Sequence, residues 1–456
     1  MPGLAAMNGK QVAVMGLGKS GASAARALKA GGARVVVWDD NAEARRQAEA
    51  LGLVVADLAD AAFDFAALDL LLWSPGIPHT HPRPHPVAER ARALGVPLVC
   101  DVELLARACP QARYVGITGT NGKSTTTTLI AHLLQSAGMT VAVGGNLGIP
   151  ALDLPALGAD GVYVLELSSY QLELLDQARF DVALLLNVTP DHLARHGGIE
   201  GYFAAKASLF DRLKTPAGAL VGADDAYGRR LLARLPGATA FSVQEALPGA
   251  IHAENGLLVD ERFGETVADL TGLPTLPGRH NWQNACAAYG AARALGVAPE
   301  TIRAGLASYP GLAHRQELVA ESQGVRYVND SKATNADAAE KAMRCYRHIY
   351  WIAGGQAKEG GIASLEPLFP NVVRAFLIGE AATDFARTLE GKAAYEQCGT
   401  LEVAVARARA SALADGHADA VVLLSPACAS WDQFKSFEHR GEVFRDRVRA
   451  LTGGAA

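Results

Sequence analysis

The chain has 456 residues, of which 50% are hydrophobic and 20% charged, with a formal net charge of -5. This is an ordinary soluble composition, and it offers no electrostatic reason to expect nucleic-acid binding. Six scattered cysteines without C-x-x-C pairs argue against disulfides and a zinc site, and no apolar run reaches the length of a membrane span. Because the first ten residues also lack the features of a signal peptide, we predict a cytoplasmic protein.

The first predicted elements are a strand, a glycine turn, a helix and a second strand. The strands are Gln11–Met15 and Arg34–Trp38, and the turn Gly16–Gly21 has the pattern G-x-G-x-x-G. With Asp39 at the end of the second strand, these residues form a dinucleotide-binding fingerprint. They predict a nucleotide-like ligand near the turn, and a tight turn that binds nothing is the alternative.

A third strand, Leu70–Trp73, runs into the rigid loop Ser74–Pro78. Open α/β sheets bind ligands at this carboxyl edge, so the loop is a candidate ligand contact. Three histidines separated by prolines follow, namely His79, His81 and His85. They share no helix face, so we interpret them as exposed loop residues, with a metal site as the alternative.

The stretch Val115–Thr125 joins an apolar strand to a glycine-bearing turn that ends in Gly-Lys-Ser-Thr. Such a turn binds polyphosphate through backbone N–H groups and a helix N-terminus; Lys123 adds a cation, and the hydroxyl of Ser124 or Thr125 can ligate Mg²⁺. The strict Walker spacing is missed by one residue, because Ile117 stands where a glycine is required. The alternative is a strand–turn–helix junction with a surface lysine.

Three polar residues mark the elements that follow. Glu166 ends an apolar strand, where a carboxylate beside polyphosphate is best explained as a Mg²⁺ ligand; a stray surface residue is the alternative. His192 follows the strand Val182–Asn187 and could bind metal or orient substrate, but an ordinary loop histidine is as good an interpretation. Lys206 lies on a mostly apolar helix, where helix physics alone favours a side chain that snorkels to solvent.

Two asparagines and a third set of strands complete the chain. Asn281 and Asn284 share one helix face, so their amides can contact a base edge, with helix capping as the alternative. The last strands each end in a polar or glycine cluster and are predicted at Arg326–Asn329, Ile349–Ala353, Ala375–Ile378 and Ala420–Leu424. This pattern indicates a doubly wound sheet with a further ligand-binding edge.

The elements together predict an α/β protein of three domains. We expect an N-terminal Rossmann-like domain over residues 1–110, a central P-loop-type ATPase domain over 111–310, and a C-terminal Rossmann-like doubly wound sheet over 311–456. The second would hold ATP and Mg²⁺, and the third offers side chains suited to a small anion. This combination suggests activation of a carboxylate by phosphoryl transfer.

Several motifs resemble those of one family. They are Gly-Thr-Asn-Gly-Lys-Ser-Thr (119–125), Glu-Leu-Ser-Ser-Tyr-Gln-Leu-Glu (166–173), Asn-Val-Thr-Pro-Asp-His (187–192), Gly-Arg-His-Asn-x-x-Asn (278–284), His-Arg-x-Glu (314–317), Asn-Asp-Ser-Lys-Ala-Thr-Asn (329–335) and Ser-Pro-Ala-Cys-Ala-Ser-x-Asp-x-Phe (425–434). In this order they resemble the Mur ligases of peptidoglycan synthesis over nearly the whole chain. Asn121 and the runs at 166–173 and 329–335 are most similar to the glutamate-adding member.

The resemblance implies a role for each matching residue. The ATP-binding residues would be Gly119, Thr120, Asn121, Gly122, Lys123, Ser124, Thr125, Asn281, Asn284, Arg315 and Asp330. Two Mg²⁺ ions would be held by Ser124, Glu166, His192 and a carbamylated Lys206. The UDP-muramoyl substrate would contact Gly18, Ser20, Asp39, Ser74, Gly76, Asn146 and Ser168. The incoming glutamate would contact Thr334, Lys358, Ser430 and Phe437. The catalytic residues would be Lys123, His192, Lys206, Arg315 and Lys332. Lys19 and Asn41 depart from the pattern of many relatives, which leaves the uracil contacts open.

The resemblance also implies the reaction. It is the ATP-dependent ligation of D-glutamate to UDP-N-acetylmuramoyl-L-alanine through an acyl phosphate. We expect a monomer that binds only small-molecule substrates, with no nucleic acid and no membrane insertion. The first alternative is a ligase of the same superfamily that adds another amino acid or L-glutamate. A nicotinamide oxidoreductase, from the first fingerprint, and a nucleotide-binding regulator without turnover are the others.

Overall fold

The apolar runs of the first domain fold into a parallel sheet. The computed structural model describes residues 4–357 and 360–453. The elements of the first domain are β1 (Gln11–Met15), α1 (Lys19–Ala30), β2 (Arg34–Trp38), α2 (Ala42–Ala50), β3 (Val54–Val55), β4 (Leu70–Trp73), α3 (Pro86–Ala93), β5 (Leu98–Val99) and α4 (Asp101–Ala108). The strands pair in parallel in the order β3-β2-β1-β4-β5. The strand order reverses between β1 and β4, so their carboxyl ends flank the crevice in which such sheets bind ligands.

The central domain is built on a nine-stranded sheet. Its elements are β6 (Arg113–Thr118), α5 (Lys123–Ser136), β7 (Thr140–Gly145), β8 (Gly161–Glu166), α6 (Ser169–Leu172), β9 (Val182–Leu185), α7 (Leu193–His196), α8 (Ile199–Ala207), β10 (Ala219–Gly222), α9 (Ala226–Leu232), β11 (Thr239–Ser242), β12 (Ile251–Glu254), β13 (Leu257–Asp260), β14 (Glu265–Asp269), α10 (Arg279–Ala294) and α11 (Pro299–Ser308). The order is β14-β13-β12-β11-β10-β9-β6-β8-β7. Strand β6 therefore lies between β8 and β9 in parallel, which brings the ends of three chain segments to one edge.

The C-terminal domain carries a six-stranded sheet. Its elements are β15 (Glu317–Ser322), β16 (Val325–Asn329), α12 (Ala336–Met343), β17 (His348–Gly354), β18 (Val372–Ile378), α13 (Ala382–Leu389), β19 (Tyr395–Gly399), α14 (Leu401–Asp415), β20 (Ala420–Leu424) and α15 (Phe437–Thr452). The order is β15-β16-β20-β17-β18-β19, in which only the β15–β16 pairing is antiparallel. The α/β class and the doubly wound C-terminal sheet predicted from the sequence are thus confirmed.

The predicted strand positions agree closely with the observed ones. Residues 11–15, 34–38, 70–73 and 420–424 are strands with the bounds predicted. Strands β16, β17 and β18 are each longer than predicted, and β9 ends at Leu185, two residues before the predicted end at Asn187. The agreement follows from composition and burial, since these strands are mainly apolar runs and most of their residues are buried.

The first and central domains are joined by a buried carboxylate. Glu103 of α4 accepts the backbone N–H groups of residues 176–178 at 2.9–3.0 Å and a hydrogen bond from Arg107 Nε at 2.7 Å. Burial opposes its ionisation, but these hydrogen bonds outweigh burial and lower the pKa of Glu103. The first domain is therefore fixed to the central domain through the start of α4.

The chain divides into two compact units. One contains Met1–Thr271 with Asn281–Ser308, and the other contains Gly272–His280 with Tyr309–Ala456. The first unit includes the Rossmann-like sheet and the nine-stranded sheet, and the second includes the six-stranded sheet. The predicted domain boundaries at residues 110 and 310 stay predictions.

Candidate functional site

The turn between β6 and α5 has the backbone geometry of a phosphate-binding loop. Gly119 and Gly122 have φ angles of +152° and +84°, which residues with a Cβ rarely adopt. A Cβ at Gly122 would also overlap Asn284 Oδ1. Lys123 is the first residue of α5, and its Nζ donates to the carbonyls of Gly119 and Thr120, each at 2.9 Å. The first-turn N–H groups of α5 and one ammonium group thus lie at the same turn, an arrangement that attracts phosphate.

Two residues predicted to ligate Mg²⁺ are in contact beside this turn. Ser124 Oγ donates to Glu166 Oε2 at 2.7 Å, and both residues are buried. The other carboxylate oxygen, Oε1, accepts from Asn146 Nδ2 at 2.8 Å, so Asn146, predicted to contact the UDP-muramoyl substrate, is bonded to Glu166. A hydroxyl and a carboxylate are hard oxygen ligands that suit Mg²⁺, which keeps several waters and substrate oxygens in its coordination sphere. Accordingly, residues 4–357 and 360–453 contain no group of three or more His, Cys, Asp or Glu arranged for a metal.

Lys206 is buried, so the expectation from helix physics that it snorkels to solvent is wrong. Its exposed fraction is 1%, its Nζ donates to the carbonyl of Gly119 at 2.8 Å, and Nζ lies 4.5 Å from the centroid of the Tyr202 ring. Burial, and secondarily the charge of Lys123, hold the pKa of Lys206 well below its ordinary value. A lowered pKa favours the neutral amine, which is the form that reacts with CO₂ to give a carbamate.

His192 lies in a different environment from the other predicted metal ligands. It precedes the one-turn helix α7 with a φ angle of +50°, and its side chain is 52% exposed. Its Nε2 lies 3.4 Å from Asp191 Oδ2, and its ring lies 5.3 Å from that of Tyr170. The structure therefore brings Ser124 and Glu166 together and leaves His192 on the loop after β9.

Asn187 holds the phosphate-binding turn from the neighbouring strand end. Its carbonyl accepts the N–H of Thr120 at 2.9 Å, and its Oδ1 accepts the N–H of Asn121 at 2.9 Å. Its Nδ2 donates to the carbonyl of Asn121 at 3.2 Å and to Gln283 Oε1 at 3.1 Å. Asn187 belongs to the motif at 187–192, and no role was expected for it; its position just after the strand beside β6 was the signal in the sequence.

The two asparagines of α10 meet as their spacing predicts. Asn284 Nδ2 donates to Asn281 Oδ1 at 3.1 Å, and Asn284 Oδ1 accepts from Thr126 Oγ1 at 3.1 Å. Both asparagines are buried and lie close to Gly122 through the Asn284 amide. Their amides therefore line the region next to the phosphate-binding turn.

The glycine turn of the first domain approaches the loop after β4. A Cβ on Gly16 would overlap Ser74 Cβ, whereas Gly18 and Gly76 have open space around them. Asp39 uses its carboxylate within its own segment, because Oδ2 accepts the N–H of Leu17 at 2.6 Å and Oδ1 that of Asn41 at 2.8 Å. Asp39 thus shapes the turn in addition to any contact with a ribose.

Two further predicted substrate contacts lie at helix starts of the same unit. Ser168 is the N-cap of α6 and forms a capping box with Gln171. Ser20 lies in the first turn of α1 and hydrogen-bonds to the buried carboxyl of Asp101. Both hydroxyls therefore have protein partners in this structure.

The C-terminal domain gathers polar residues at the carboxyl ends of β16 and β20. Asp330 is buried and accepts hydrogen bonds from Ser425 Oγ at 2.8 Å and from the N–H of Gln316 at 3.2 Å. Burial raises the pKa of Asp330 to about 7 despite these bonds and the charge of Arg315. Lys332 Nζ lies 4.8 Å from the ring centroid of Phe437.

A fully buried arginine that sequence reasoning missed links these two strand ends. Arg440 donates through Nε to Ser331 Oγ at 3.0 Å and through Nη2 to the carbonyls of Ser331 and Cys428 at 2.8 and 3.1 Å. It therefore fixes the loop that carries Lys332 and Thr334 to the loop that carries Ser430. Lys358, predicted to contact glutamate, lies outside the described residues.

Comparisons with known proteins decide the family. Three family models match in order: Mur ligase MurD-like, N-terminal domain (10–99), Mur ligase middle domain (117–292) and Mur ligase, glutamate ligase domain (314–428). Curated relatives named UDP-N-acetylmuramoylalanine--D-glutamate ligase are 58% identical in Paramagnetospirillum magneticum and 55% identical in Rhodospirillum rubrum. These alignments cover 99% and 97% of this chain and 98% and 95% of the relatives. The chain belongs to the Mur ligase family.

Solved structures agree with the fold of this Mur ligase. UDP-N-acetylmuramate-alanine ligase from Thermotoga maritima superimposes with a TM-score of 0.56 at 17% identity, over 97% of this chain and 99% of that one. A Mur ligase from Acinetobacter baumannii, MurF, gives 0.54 at 18% identity, over 76% and 79% of the two chains. At sequence identities of 17% and 18%, these similarities support the fold and nothing further. None of the helices described here is both long and apolar enough to cross a membrane.

Proposed function

We infer that this Mur ligase uses ATP to join D-glutamate to UDP-N-acetylmuramoyl-L-alanine in peptidoglycan synthesis. The observation that carries the inference is the identity of 58% and 55%, over nearly the whole chain, to relatives named for that reaction. The match of the C-terminal domain to a glutamate ligase model supports the identity of the incoming amino acid.

In the first step, the carboxylate of the L-alanyl group attacks the γ-phosphorus of ATP and gives an acyl phosphate and ADP. We propose that the residues 119–125 hold the ATP phosphates through the loop amides and the ammonium of Lys123. Their positive potential offsets the charge that builds up when an anionic carboxylate approaches an anionic phosphate. Asn281 and Asn284 would contact the adenine beside this turn.

We propose that Ser124 and Glu166 hold one Mg²⁺ and that His192 and carbamylated Lys206 hold a second. Bound Mg²⁺ neutralises negative charge on the transferring phosphoryl group. The Ser124–Glu166 hydrogen bond at 2.7 Å supports the first set, since both oxygens already converge beside the phosphate-binding turn. The lowered pKa of Lys206 supports carbamate formation, because only the neutral amine captures CO₂.

In the second step, the glutamate amine attacks the acyl phosphate, and a tetrahedral intermediate collapses to the amide and inorganic phosphate. Arg315, Asp330 and Lys332 are proposed to act around the γ-phosphate and ribose. The glutamate would be held by Thr334, Lys358, Ser430 and Phe437. The UDP-muramoyl group would be held by Gly18, Ser20, Asp39, Ser74, Gly76, Asn146 and Ser168.

We further propose that the enzyme acts as a cytoplasmic monomer. The six cysteines, all within the described residues, form no disulfide with one another, which is compatible with a reducing compartment. ATP and a UDP-linked sugar are also intracellular metabolites. Size-exclusion chromatography with light scattering would test the oligomeric state, and a mass near 95 kDa, roughly twice that of one chain, would contradict it.

The function is tested by phosphate release with UDP-MurNAc-L-Ala, ATP and one amino acid at a time. D-Glutamate should support turnover, whereas L-glutamate, L-alanine, L-lysine and diaminopimelate should not. Equal rates with both glutamate enantiomers would refute the stereochemical assignment. Turnover with only one of the other amino acids would show that this amino acid, and not D-glutamate, is the substrate. No turnover with any of the five amino acids would refute the ligase activity.

A further inference from the structure

A partly buried carboxylate, Glu173, collects hydrogen bonds from both the first and the central domain. Its Oε2 accepts from His79 Nε2 at 2.9 Å and from Arg195 Nη1 at 3.2 Å, and its Oε1 accepts from His196 Nδ1 at 2.8 Å. His79 belongs to the first domain, whereas Arg195 and His196 belong to α7 of the central domain. We call these four residues the Glu173 cluster.

The first-domain end of the cluster is held rigidly. His79 Nδ1 accepts from Arg92 Nη2 at 2.6 Å, and Arg92 Nη1 donates to the carbonyl of His79. Because Nδ1 is an acceptor, the ring proton sits on Nε2 and is donated to Glu173. The neighbouring Thr80 Oγ1 accepts from Arg195 Nη1 at 3.1 Å and adds a second link across the same boundary. His79 and Thr80 directly continue the loop Ser74–Pro78, so these bonds restrain that loop.

The central-domain end of the cluster reaches the turn at Ser168. Burial opposes ionisation of Glu173, but hydrogen bonds from His196 and His79 and the charge of Arg195 outweigh it and lower the pKa of Glu173 to about 2. The carboxylate therefore accepts from His196 Nδ1, and in the neutral tautomer His196 Nε2 accepts from Ser169 Oγ at 2.9 Å. Ser169 follows Ser168 directly and begins α6.

The residues that connect the Ser74–Pro78 loop to the Ser168 turn are shielded from solvent. His79 is buried, so its interpretation from the sequence as an exposed loop residue is wrong; Ser169, Arg195 and His196 are buried as well. The chain of contacts thus runs from the loop after β4, through His79, Glu173 and His196, to the first residue of α6. None of these connecting residues belongs to the proposed ATP, metal, glutamate or UDP-muramoyl contacts.

We propose that Glu173 is a positioning residue of the UDP-muramoyl site, which holds the Ser74–Pro78 loop and the Ser168 turn at the separation that the substrate requires. The proposal rests on the proposed function, in which both segments contact the UDP-muramoyl group. Glu173 acts through His79 on one segment and through His196 and Ser169 on the other. The turn at 119–125 is held by other contacts, chiefly those of Asn187, so nucleotide binding does not depend on Glu173.

Two variants separate this role from a general loss of stability. Glu173→Gln removes the charge on which the cluster converges. His79→Leu removes the donor to Glu173 and the ring acceptor of Arg92 Nη2, but Arg92 keeps the carbonyl of residue 79 and Glu173 keeps Arg195 and His196, so this variant should fold. Arg26→Gln is the matched control, since it removes a different ion pair between the same two domains, from Arg26 Nη2 to Asp153 Oδ1 at 3.7 Å.

The affinity for UDP-MurNAc-L-Ala is measured by titration calorimetry without ATP or metal, and KM is measured for each of the three substrates. Loss of a charged hydrogen bond predicts a rise in Kd and KM for UDP-MurNAc-L-Ala of roughly 10- to 100-fold in Glu173→Gln and a smaller rise in His79→Leu. KM for ATP and D-glutamate should stay within twofold of wild type in His79→Leu, and Arg26→Gln should match wild type throughout.

An affinity for UDP-MurNAc-L-Ala within twofold of wild type in both Glu173→Gln and His79→Leu would overturn the positioning role. An equal rise in KM for all three substrates in His79→Leu would overturn it as well, since only a general structural role predicts that result. If the wild-type enzyme itself fails to bind UDP-MurNAc-L-Ala, the proposed function fails, and the positioning role fails with it.

Discussion

Replacing Asn187 by alanine removes three side-chain hydrogen bonds that hold the phosphate-binding turn. Two of them go to the backbone of Asn121 and one to Gln283. At about 1 kcal/mol each, the bonds contribute at most about 3 kcal/mol, and water replaces part of this because the site is partly exposed. The turn must then be ordered by ATP itself, so the cost appears in nucleotide binding.

We therefore expect Asn187→Ala to weaken ATP binding by roughly 1.5–3 kcal/mol, or about 10- to 150-fold in Kd. Asn187→Asp should bind ATP more weakly still, because it loses both donated bonds and adds a negative charge near the phosphates. Titration calorimetry with ATP measures both effects. Asn41→Ala is the control, since it removes a side-chain bond to the backbone N–H of Glu43 at the start of α2. ATP binding by Asn187→Ala within twofold of wild type would refute the reasoning.

Three further predictions follow from buried charged groups. Lys206→Ala should lose phosphate release and regain part of it with short carboxylates, which would stand in for the proposed carbamate; full activity without added carboxylate would remove Lys206 from the site. Burial raises the pKa of Asp330 to about 7 in the folded state, whereas in the unfolded state this carboxyl titrates near pH 4. Between about pH 4 and pH 7 only the folded state therefore holds the proton, so the free energy of unfolding falls as the pH rises through this window. The Tm of Asp330→Asn minus the Tm of wild type should therefore increase from pH 5 to pH 8, and a Tm difference that does not change with pH would contradict this. Arg440→Met should destabilise the C-terminal unit by roughly 3–5 kcal/mol in urea unfolding, because it removes the buried hydrogen bonds that Arg440 donates to Ser331 and to the carbonyl of Cys428. Arg440→Lys should recover part of the lost free energy of unfolding. A urea midpoint of Arg440→Met equal to that of wild type would be inconsistent with these hydrogen bonds.

Local sequence determined the secondary structure and the form of the phosphate-binding turn. A strand such as Leu70–Trp73 is a continuous apolar run that is buried on both faces, so its bounds can be predicted without knowing its neighbours. The turn before Lys123 depends on glycines with positive φ angles and on the helix that follows, all within one short segment. The spacing of Asn281 and Asn284 likewise fixed their common helix face.

Tertiary structure decided which polar groups are buried and what they bond. Lys206 was expected to reach solvent, but Tyr202 and the carbonyl of Gly119 enclose its amine, and the pKa falls because the charged form loses water. The roles of Asn187, Glu173 and Arg440 depend on partners far away in the chain, which only the packing of the strands, helices and loops brings within hydrogen-bond distance. Hydrophobic periodicity and turn chemistry act over a few residues, whereas desolvation and hydrogen-bond geometry depend on the packed neighbours of each atom.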